Sequence, residues 1–422
     1  MAGLGYKTFN VGDVLTAAQV QGYLQDQTVM RFASATARNT AIGANVAEGM
    51  LSYLDDTNAI QYYDGSAWQT LSTGGDITSV VAGYGLAGGG TSGDVTLTTS
   101  GGISGTNPVL NSQFNVWQRG TSIAQTAGAA YAADRWQQAG NGSPYMTMSR
   151  QLTNDTTNLP NIQYCARYQR TASNTTTTVA SFSQSIETLN SIGFAGKSVV
   201  LSFYARAGAN FSAASSAMGI KLTTSTTTDQ NILINGGTNV FDASATLTTT
   251  WQRFTFTGTI PTNAATIAIT PYYTPVGTAG ANDYFEITGV QLEVGSAATA
   301  YQPNGKTYQA ELAACRYYYR RWTAGSAYGT LSMFGTGLSA TSGLVAVPID
   351  SMRVAPTSVE YANVNAGDGT TSVTITGLSI NQGNNNAVWL YFTTASGITQ
   401  YRPYALVGSN NTAGYVGLNS EI

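Results

Sequence analysis

The sequence predicts a mostly β protein built from several domains. Asp, Glu, Lys and Arg make up only 9 % of the 422 residues, against about 25 % in an average soluble domain, so hydroxyl and amide side chains must cover much of the surface. The 47 glycines and 25 tyrosines favour turns and strands over helices. Because the chain is longer than one core usually organises, we divide it where its composition changes, into residues 1–74, 75–106, 107–303 and 304–422.

The first region, residues 1–74, predicts a small helix followed by a β-meander. Thr16 stands where it can cap a helix, and Val20 and Leu24 follow at helical spacing. In "GMLSYLDDTNAIQYYDGSAWQTL" three short alternating runs are separated by "DDTN" and "DGS", which are typical turn sequences.

The second region, residues 75–106, is rich in glycine and has two short β-prone runs at 77–81 and 95–98. An isolated hairpin is marginal in water, so the segment is either a flexible linker or a set of strands completed by neighbouring chains. The β-branched residues in "DITSVV" and "DVTLTT" favour the second interpretation, a short trimeric β shaft.

The third and fourth regions predict two β-sandwiches of different size. In residues 107–303 strands recur at short spacing, and Val199, Leu201 and Phe203 alternate on one face, with Phe254 and Phe256 on another strand. Residues 304–422 begin with a helix that Thr307 can cap and continue as several apolar runs, which predict the smaller sandwich.

Charge and residue type exclude several classes of function. The net charge of −3 and the scattered 18 Lys and Arg give no basic surface for nucleic acid. No apolar run approaches the ~20 residues of a membrane span, and the first residues lack a signal pattern, so we expect no membrane insertion and no export by a signal peptide. With no histidine and two cysteines, we expect no metal site and no cofactor, and we expect Cys165 and Cys315 to be buried apolar side chains.

Four segments in this order resemble bacteriophage tail fibres and related minor tail proteins. They are "RNTAIGANVAEGMLSYLDDTNAIQYYDGSAWQTL", "DITSVVAGYGLAGGGTSGDVTL", "NPVLNSQFNVWQRGTS" with "YAADRW", and "YQAELAACRYYYRRW". The resemblance implies a homotrimer located in the virion, in a tail fibre or baseplate. Its N-terminal part would attach to other tail or baseplate proteins, and its C-terminal part would recognise the host surface, a cell-surface glycan or protein.

The third region also resembles the jelly-roll carbohydrate-binding modules embedded in phage fibres and glycan-degrading enzymes. The resemblance is carried by "GKSVVLSFYARA", "WQRFTFTGTIP" and "ITGVQLEVGSAATAYQP". It implies a β-sandwich, while a sugar site does not follow automatically, since copies of this fold in fibres can serve as spacers.

Two tryptophans in the third region are candidates for sugar binding. Trp117 or Trp136 can offer a flat face to a sugar ring. The alternative is structural and is favoured, because large aromatic residues mostly belong to the core: Trp117 packs into the start of the sandwich, and Arg119 pairs with a carboxylate such as Asp134.

The distal region supplies the other glycan-binding candidates. Exposed aromatic and amide side chains on loops are typical of binding surfaces, and "NQGNNNAVW" and "GITQYRPY" combine both kinds. The candidates are Asn384, Asn385, Trp389, Tyr401, Arg402 and Tyr404. For each residue the alternative is that the asparagines form a turn and the aromatics fill a trimer interface.

Two other classes of function compete with an adhesin. A tail depolymerase would cleave polysaccharide with two carboxylates and needs no histidine. However, Asp283 and Glu286 lie three residues apart and would point to opposite faces of a strand, so we expect no catalytic residues and no enzyme activity. A purely structural tail or baseplate spacer also fits the composition.

Overall fold

The structure is a computed structural model, and it describes residues 10–21, 28–71, 79–82, 86–91, 93–99, 107–126, 128–139, 145–305 and 307–422. Strands dominate these residues, which confirms the predicted class; the longest helix among them has nine residues. Nowhere in these ranges is a helix long and apolar enough to cross a membrane.

The N-terminal region contains two short helices and a four-stranded sheet. Its elements are α1 (Ala17–Val20), β1 (Val29–Phe32), α2 (Ala35–Ile42), a 3₁₀ turn (Gly43–Asn45), β2 (Leu51–Leu54), β3 (Ala59–Tyr63) and β4 (Trp68–Thr70). Thr16 caps α1 through reciprocal hydrogen bonds with Gln19, as predicted. Strands β2, β3 and β4 form the predicted antiparallel meander, and β1 pairs with β2 in parallel.

The glycine-rich region contributes three short strands, β5 (Val80–Val81), β6 (Leu86–Gly90) and β7 (Leu97–Thr99). Strand β6 pairs antiparallel with β5 and with β7. Part of the first predicted run, residues 77 and 78, lies outside the described residues. The trimeric arrangement of this region stays a prediction.

The third region forms a β-sandwich of two six-stranded sheets. Its strands are β8 (Ser122–Ala124), β9 (Ala130–Tyr131), β10 (Gln137–Gln138), β11 (Met146–Leu152), β12 (Tyr164–Arg170), β13 (Ala180–Ile186), β14 (Ser198–Ala207), β15 (Ala217–Ser225), β16 (Thr238–Thr246), β17 (Gln252–Thr259), β18 (Thr266–Tyr273) and β19 (Tyr284–Val294). Four short helical segments connect them: α3 (Thr188–Ser191), 3₁₀ turns at Ile192–Phe194 and Ala214–Ser216, and α4 (Ile232–Asn235).

The strand order has the pattern of a jelly roll. One sheet has the order β16-β15-β18-β13-β10-β9 and the other β17-β14-β19-β12-β11-β8. From β12 to β15 and again from β16 to β19, successive strands alternate between the two sheets, as in jelly rolls. The predicted alternation is confirmed, because Val199, Leu201 and Phe203 are fully buried between the sheets, and the ring of Phe203 stacks on that of Phe256 at 6.1 Å.

The C-terminal region begins with α5 (Tyr308–Arg316), capped by Thr307 as predicted. Its strands are β20 (Tyr319–Thr323), β21 (Thr330–Ser339), β22 (Ser342–Pro348), β23 (Ser358–Ala362), β24 (Val364–Gly367), β25 (Ser372–Gly383), β26 (Ala387–Thr394), β27 (Pro403–Gly408) and β28 (Tyr415–Asn419). Six of them close into a barrel of order β21-β22-β26-β25-β24-β27, and the others form a sheet of order β20-β28-β23.

The barrel corrects one detail of the prediction, since we expected two stacked sheets here. Strand β21 is irregular between Thr330 and Phe334, and β25 is irregular at two places, between Ile375 and Gly377 and between Ile380 and Gln382. Such irregularities bend strands and let a sheet curl until its edge strands pair. The predicted helix followed by strands is confirmed.

The segment that follows β28 joins the C-terminal region to the sandwich. Glu421 is almost fully buried and forms ion pairs with Arg135 and, at 3.5 Å, with Arg119. Arg353 donates to the backbone oxygens of Ser420 and Glu421 at 2.8 and 3.0 Å and pairs with Asp229 of the sandwich at 3.1 Å. These contacts link the sandwich and the C-terminal region through buried charges.

Candidate functional site

The two tryptophans of the third region lie in the sandwich core. Trp136 is fully buried against Phe114 and Phe182, and Trp117 is buried with its indole Nε1 donating to the Phe114 oxygen at 2.6 Å. Neither ring has a free face for a sugar. The glycan-binding candidates Trp117 and Trp136 are therefore corrected to core residues, and the structural alternative is confirmed for Trp117.

The predicted partner of Arg119 is also corrected. Asp134 accepts hydrogen bonds from the backbone and side-chain nitrogens of Gln118, and Arg119 pairs instead with Glu360 at 3.7 Å and Glu421 at 3.5 Å. Both of these partners come from the C-terminal region, so sequence proximity to Asp134 misled the prediction.

Both cysteines behave as predicted. Cys165 and Cys315 are buried and unpaired, and burial raises the pKa of each thiol well above its usual value. Such thiols are poor nucleophiles and poor metal ligands.

Asn384 and Asn385 form the turn between β25 and β26. The Asn384 side-chain oxygen accepts from the backbone nitrogens of Asn386 and Ala387 at 2.8 and 3.0 Å, an arrangement typical of asparagine in turns. Both side chains are exposed, so they are open to a ligand as well as shaping the turn.

Tyr401, Arg402 and Tyr404 lie at the other end of the barrel. The Tyr401 nitrogen donates to Gly337 at 2.9 Å, whereas the Asn384 turn adjoins the end of β22 at Pro348. Tyr401 is exposed, Arg402 is exposed, and Tyr404 is buried with its hydroxyl accepting from the Thr399 nitrogen at 3.0 Å. Tyr404 is therefore corrected to a core residue, and the remaining distal candidates do not meet at one place.

Trp389 is the candidate that lies on an exposed, largely apolar surface. Its side chain is 45 % exposed on β26, and it lies in register with Ala346 on β22. Ala346 is in turn in register with Phe334 on β21, which is 61 % exposed. Directly paired residues point to the same side of a sheet, so the two aromatic rings flank a small residue on the outer side of the barrel.

A second row of the same kind lies beside the first. Tyr391 on β26 pairs with Leu344 on β22, and Leu344 pairs with Thr336 on β21. All three are half-buried. Together the two rows form a surface that we call the barrel face, which consists of Phe334, Thr336, Leu344, Ala346, Trp389 and Tyr391.

Alternation along the strands explains why these residues point outward. Val388, Leu390 and Phe392 on β26 are buried in the barrel core, as are Val345 and Val347 on β22. Because successive side chains of a strand point to opposite sides, the intervening residues face away from the core. Phe334 was not among the predicted residues, although "LSMF" carries a signal: Leu331 and Met333 take the inner positions, which leaves Phe334 outside.

The barrel face carries no charged side chain. Its neighbours in register are also uncharged: Ser379, Gln382, Pro403 and Ala405. Arg402, which precedes Pro403, pairs with Asp368 at 2.9 Å. The chemistry that this surface offers is therefore aromatic and aliphatic contact with a few hydroxyl and amide groups.

The sandwich has a recess of about 280 Å³ on the outer side of the sheet that contains β15 and β18. This recess is more polar than the barrel face. Tyr272 lines it and donates to Asp242 at 2.6 Å, while Lys221 lies 3.2 Å from the same carboxylate. Burial and the Asp242 hydrogen bond raise the pKa of Tyr272 to about 12. The ring lies over Gly219, where a Cβ would be 2.1 Å from Tyr272 Cζ.

The two carboxylates considered for catalysis are held by guanidinium groups. Asp283 pairs with Arg170 at 3.2 Å, and Glu286 pairs with Arg167 at 2.7 Å and Arg206 at 2.5 Å. Both carboxylates are fully buried. Their contacts are those of structural ion pairs rather than of a general acid and base that share a substrate.

Comparison with known proteins gives only weak likenesses. No protein-family model matches the sequence, and no curated protein matches it. Among solved structures, it is similar to a CBM4 carbohydrate-binding module (21 % identity, 44 % of this chain and 98 % of that chain, TM-score 0.26). It is also similar to TmCBM61 in complex with β-1,4-galactotriose (16 % identity, 45 % and 99 %, TM-score 0.26).

A third likeness is to the enzymatically active domain of tailspike protein 4 of bacteriophage CBA120, at 16 % identity and a TM-score of 0.29. It covers 45 % of this chain and 21 % of that chain. TM-scores this low support no conclusion about function, and the assignment of the sandwich rests on its own strand order.

Proposed function

We propose that this protein is a bacteriophage tail-fibre or tail-tip adhesin that binds a bacterial surface glycan through the barrel face during host attachment. In this proposal it is a homotrimer in the virion, and residues 1–74 attach it to other tail or baseplate proteins. It acts without catalysis. The resemblance of four ordered segments to tail fibres supports its place in the virion.

The observation that carries glycan binding is the exposure of Trp389 and Phe334 on either side of Ala346. Pyranose rings present C–H groups that pack on aromatic faces. Adjacent large aromatic side chains that remain exposed are also typical of a binding site. Three copies of the face in a trimer would raise the effective concentration of sites and strengthen weak individual binding.

The test is to incubate the full chain with isolated host-surface polysaccharide and to record both retention of the glycan and its chain length. We expect retention at unchanged length. Trp389→Ala should reduce affinity by about 2 kcal/mol, the scale of a central aromatic anchor. Tyr308→Ala is the matched control, because Tyr308 is an exposed aromatic residue on α5, outside the barrel face.

The other outcomes separate the competing functions. Progressive shortening of the polysaccharide would replace the adhesin with a depolymerase. Absence of both retention and shortening would favour a structural spacer or a protein receptor. Equal losses in Trp389→Ala and Tyr308→Ala would place the binding site elsewhere on the chain.

A further inference from the structure

We propose that the barrel face selects neutral glycans with methyl-bearing substituents and discriminates against acidic polysaccharides. This inference rests on the proposed function and adds the chemical class of the ligand. The methyl groups can belong to 6-deoxy sugars or to N-acetyl groups, which present the same apolar surface.

The barrel face offers no cation to an acidic sugar. The six residues of the barrel face include no Asp, Glu, Lys or Arg, and neither do the residues beside them in register, Ser379, Gln382, Pro403 and Ala405. The guanidinium of Arg402 is already paired with Asp368. An acidic sugar would lose part of its hydration on this surface without gaining a cation in return, so its binding is disfavoured.

Aliphatic side chains lie between the aromatic rings of the barrel face. Ala346 and Leu344 fill the β22 positions between β21 and β26, so the centre of the face is made of methyl groups. A sugar hydroxyl pressed against these side chains would lose water without gaining a partner. A methyl group in the same place buries apolar area on both sides, which is favourable.

Hydroxyl groups occur only toward one row of the face. Thr336 and Tyr391 both belong to the second row, with Leu344 between them. They can bond the hydroxyl edge of a sugar ring while its apolar side lies on Trp389 and Ala346. The face therefore presents an apolar row and a weakly polar row, which matches a sugar that is substituted by a methyl group on one edge.

The sandwich recess gives an internal contrast within the same chain. Its lining includes Lys221, which pairs with Asp242 at 3.2 Å, and the side chains of Ser181, Thr223 and Thr270. If acidic or fully hydroxylated glycans bound there, their affinity would not change when residues of the barrel face are substituted. Variants of the barrel face thus report on this surface alone.

The test measures equilibrium binding of the full chain to four soluble oligosaccharide probes of equal length. The probes are an N-acetylhexosamine oligomer, a 6-deoxyhexose oligomer, an unsubstituted glucose oligomer and a uronic acid oligomer. We expect at least one methyl-bearing probe to bind roughly tenfold or more tighter than the glucose oligomer, a difference of one decade in Kd, and the uronic acid oligomer to bind weakest. Which methyl-bearing probe binds better identifies the source of the methyl group.

Two variants of Ala346 test the charge argument. Ala346→Lys places a cation between the rings and should raise the affinity for the uronic acid oligomer, while Ala346→Asp should weaken binding of every probe. Ala346 is half-buried on the outer side, and circular dichroism would check that both variants fold. Tyr308→Ala should leave all four affinities unchanged.

The outcomes distinguish this inference from the proposed function. Retention of host polysaccharide together with equal binding of all probes, or a preference for the uronic acid oligomer that Trp389→Ala abolishes, would overturn the inference and leave the adhesin in place. If no glycan binds and Trp389→Ala lowers the molar mass in light scattering, the face is a contact between copies of the chain. That result would overturn both proposals.

Discussion

Replacing Glu421 by alanine should strongly destabilise the joined sandwich and C-terminal region. The Glu421 carboxylate is 3 % exposed, and its partners Arg135 and Arg119 are 2 % and 7 % exposed. The substitution leaves both guanidinium groups buried. The remaining contacts compensate only partly for the lost carboxylate: Arg135 still donates to the Ser185 oxygen at 2.7 Å, and Arg119 still pairs with Glu360 at 3.7 Å.

The expected loss is about 3 kcal/mol, the lower end of the range for removing one partner of a buried ion pair. The matched control is Asp350→Ala. Asp350 pairs with Arg320 at 3.1 Å but is 93 % exposed, so its loss should change stability by less than about 1 kcal/mol.

The assay is urea unfolding of the full chain followed by tryptophan fluorescence, which reports on six tryptophans, among them the buried Trp136 and Trp117. The midpoint of the Glu421→Ala variant should fall well below those of the wild type and of Asp350→Ala. A loss no larger than that of the control would refute the conclusion that this buried charge cluster holds the two regions together.

Three further predictions concern local structure. Trp136→Ala should cost about 3–5 kcal/mol because it empties a fully buried site, measured by urea unfolding, and a loss below 1 kcal/mol would contradict its core position. Gly219→Ala should displace the Tyr272 ring and cost about 1–3 kcal/mol by overpacking; an unchanged Tyr272 ring environment in NMR spectra would contradict this. Hydrogen bonds from the backbone nitrogens of Thr371 and Thr370 hold the pKa of Asp368 well below its usual range. The Asp368 carboxylate therefore stabilises the folded state above its unfolded pKa of about 3.9. This stabilisation is lost as the pH falls through the folded pKa. The Thr371 amide shift should therefore move only well below that pH, and a midpoint at or above it would contradict the account.

Local sequence patterns predicted much of the fold because they reflect local physics. Thr16 and Thr307 are helix caps whose hydrogen bonds join residues three apart. The alternation of Val199, Leu201 and Phe203 depends only on the period of a strand. The predicted class and the first meander followed from the same kinds of signal.

The closure of the barrel could not be predicted in this way. Strand β21 pairs with β27, whose residues lie about seventy positions further along the chain, and no local pattern specifies that partner. The bends that permit closure are irregularities of pairing in β21 and β25, and they become visible only when the neighbouring strand is known.

The candidate site could be predicted only in part, because its residues come from strands that are distant in the sequence. Trp389 was expected on a loop, but it lies on β26, where alternation places it and Tyr391 on the side opposite Val388 and Leu390. Its neighbour Phe334 comes from β21, and only the β22 register brings the two together. Trp117, Trp136 and Tyr404 were candidates because aromatic rings occur both in cores and at binding surfaces, and sequence alone does not show which rings the tertiary structure buries.

Hydroxyl-radical footprinting of the full chain, with and without isolated host-surface polysaccharide, would show whether the barrel face binds the glycan. Trp389 and Phe334 are exposed in the free chain and are oxidised readily there. Polysaccharide should reduce oxidation of both residues and leave oxidation of Tyr308 unchanged. Unchanged oxidation of Trp389 and Phe334 under conditions in which the polysaccharide is retained, above all with protection at Tyr272, would contradict binding at the barrel face.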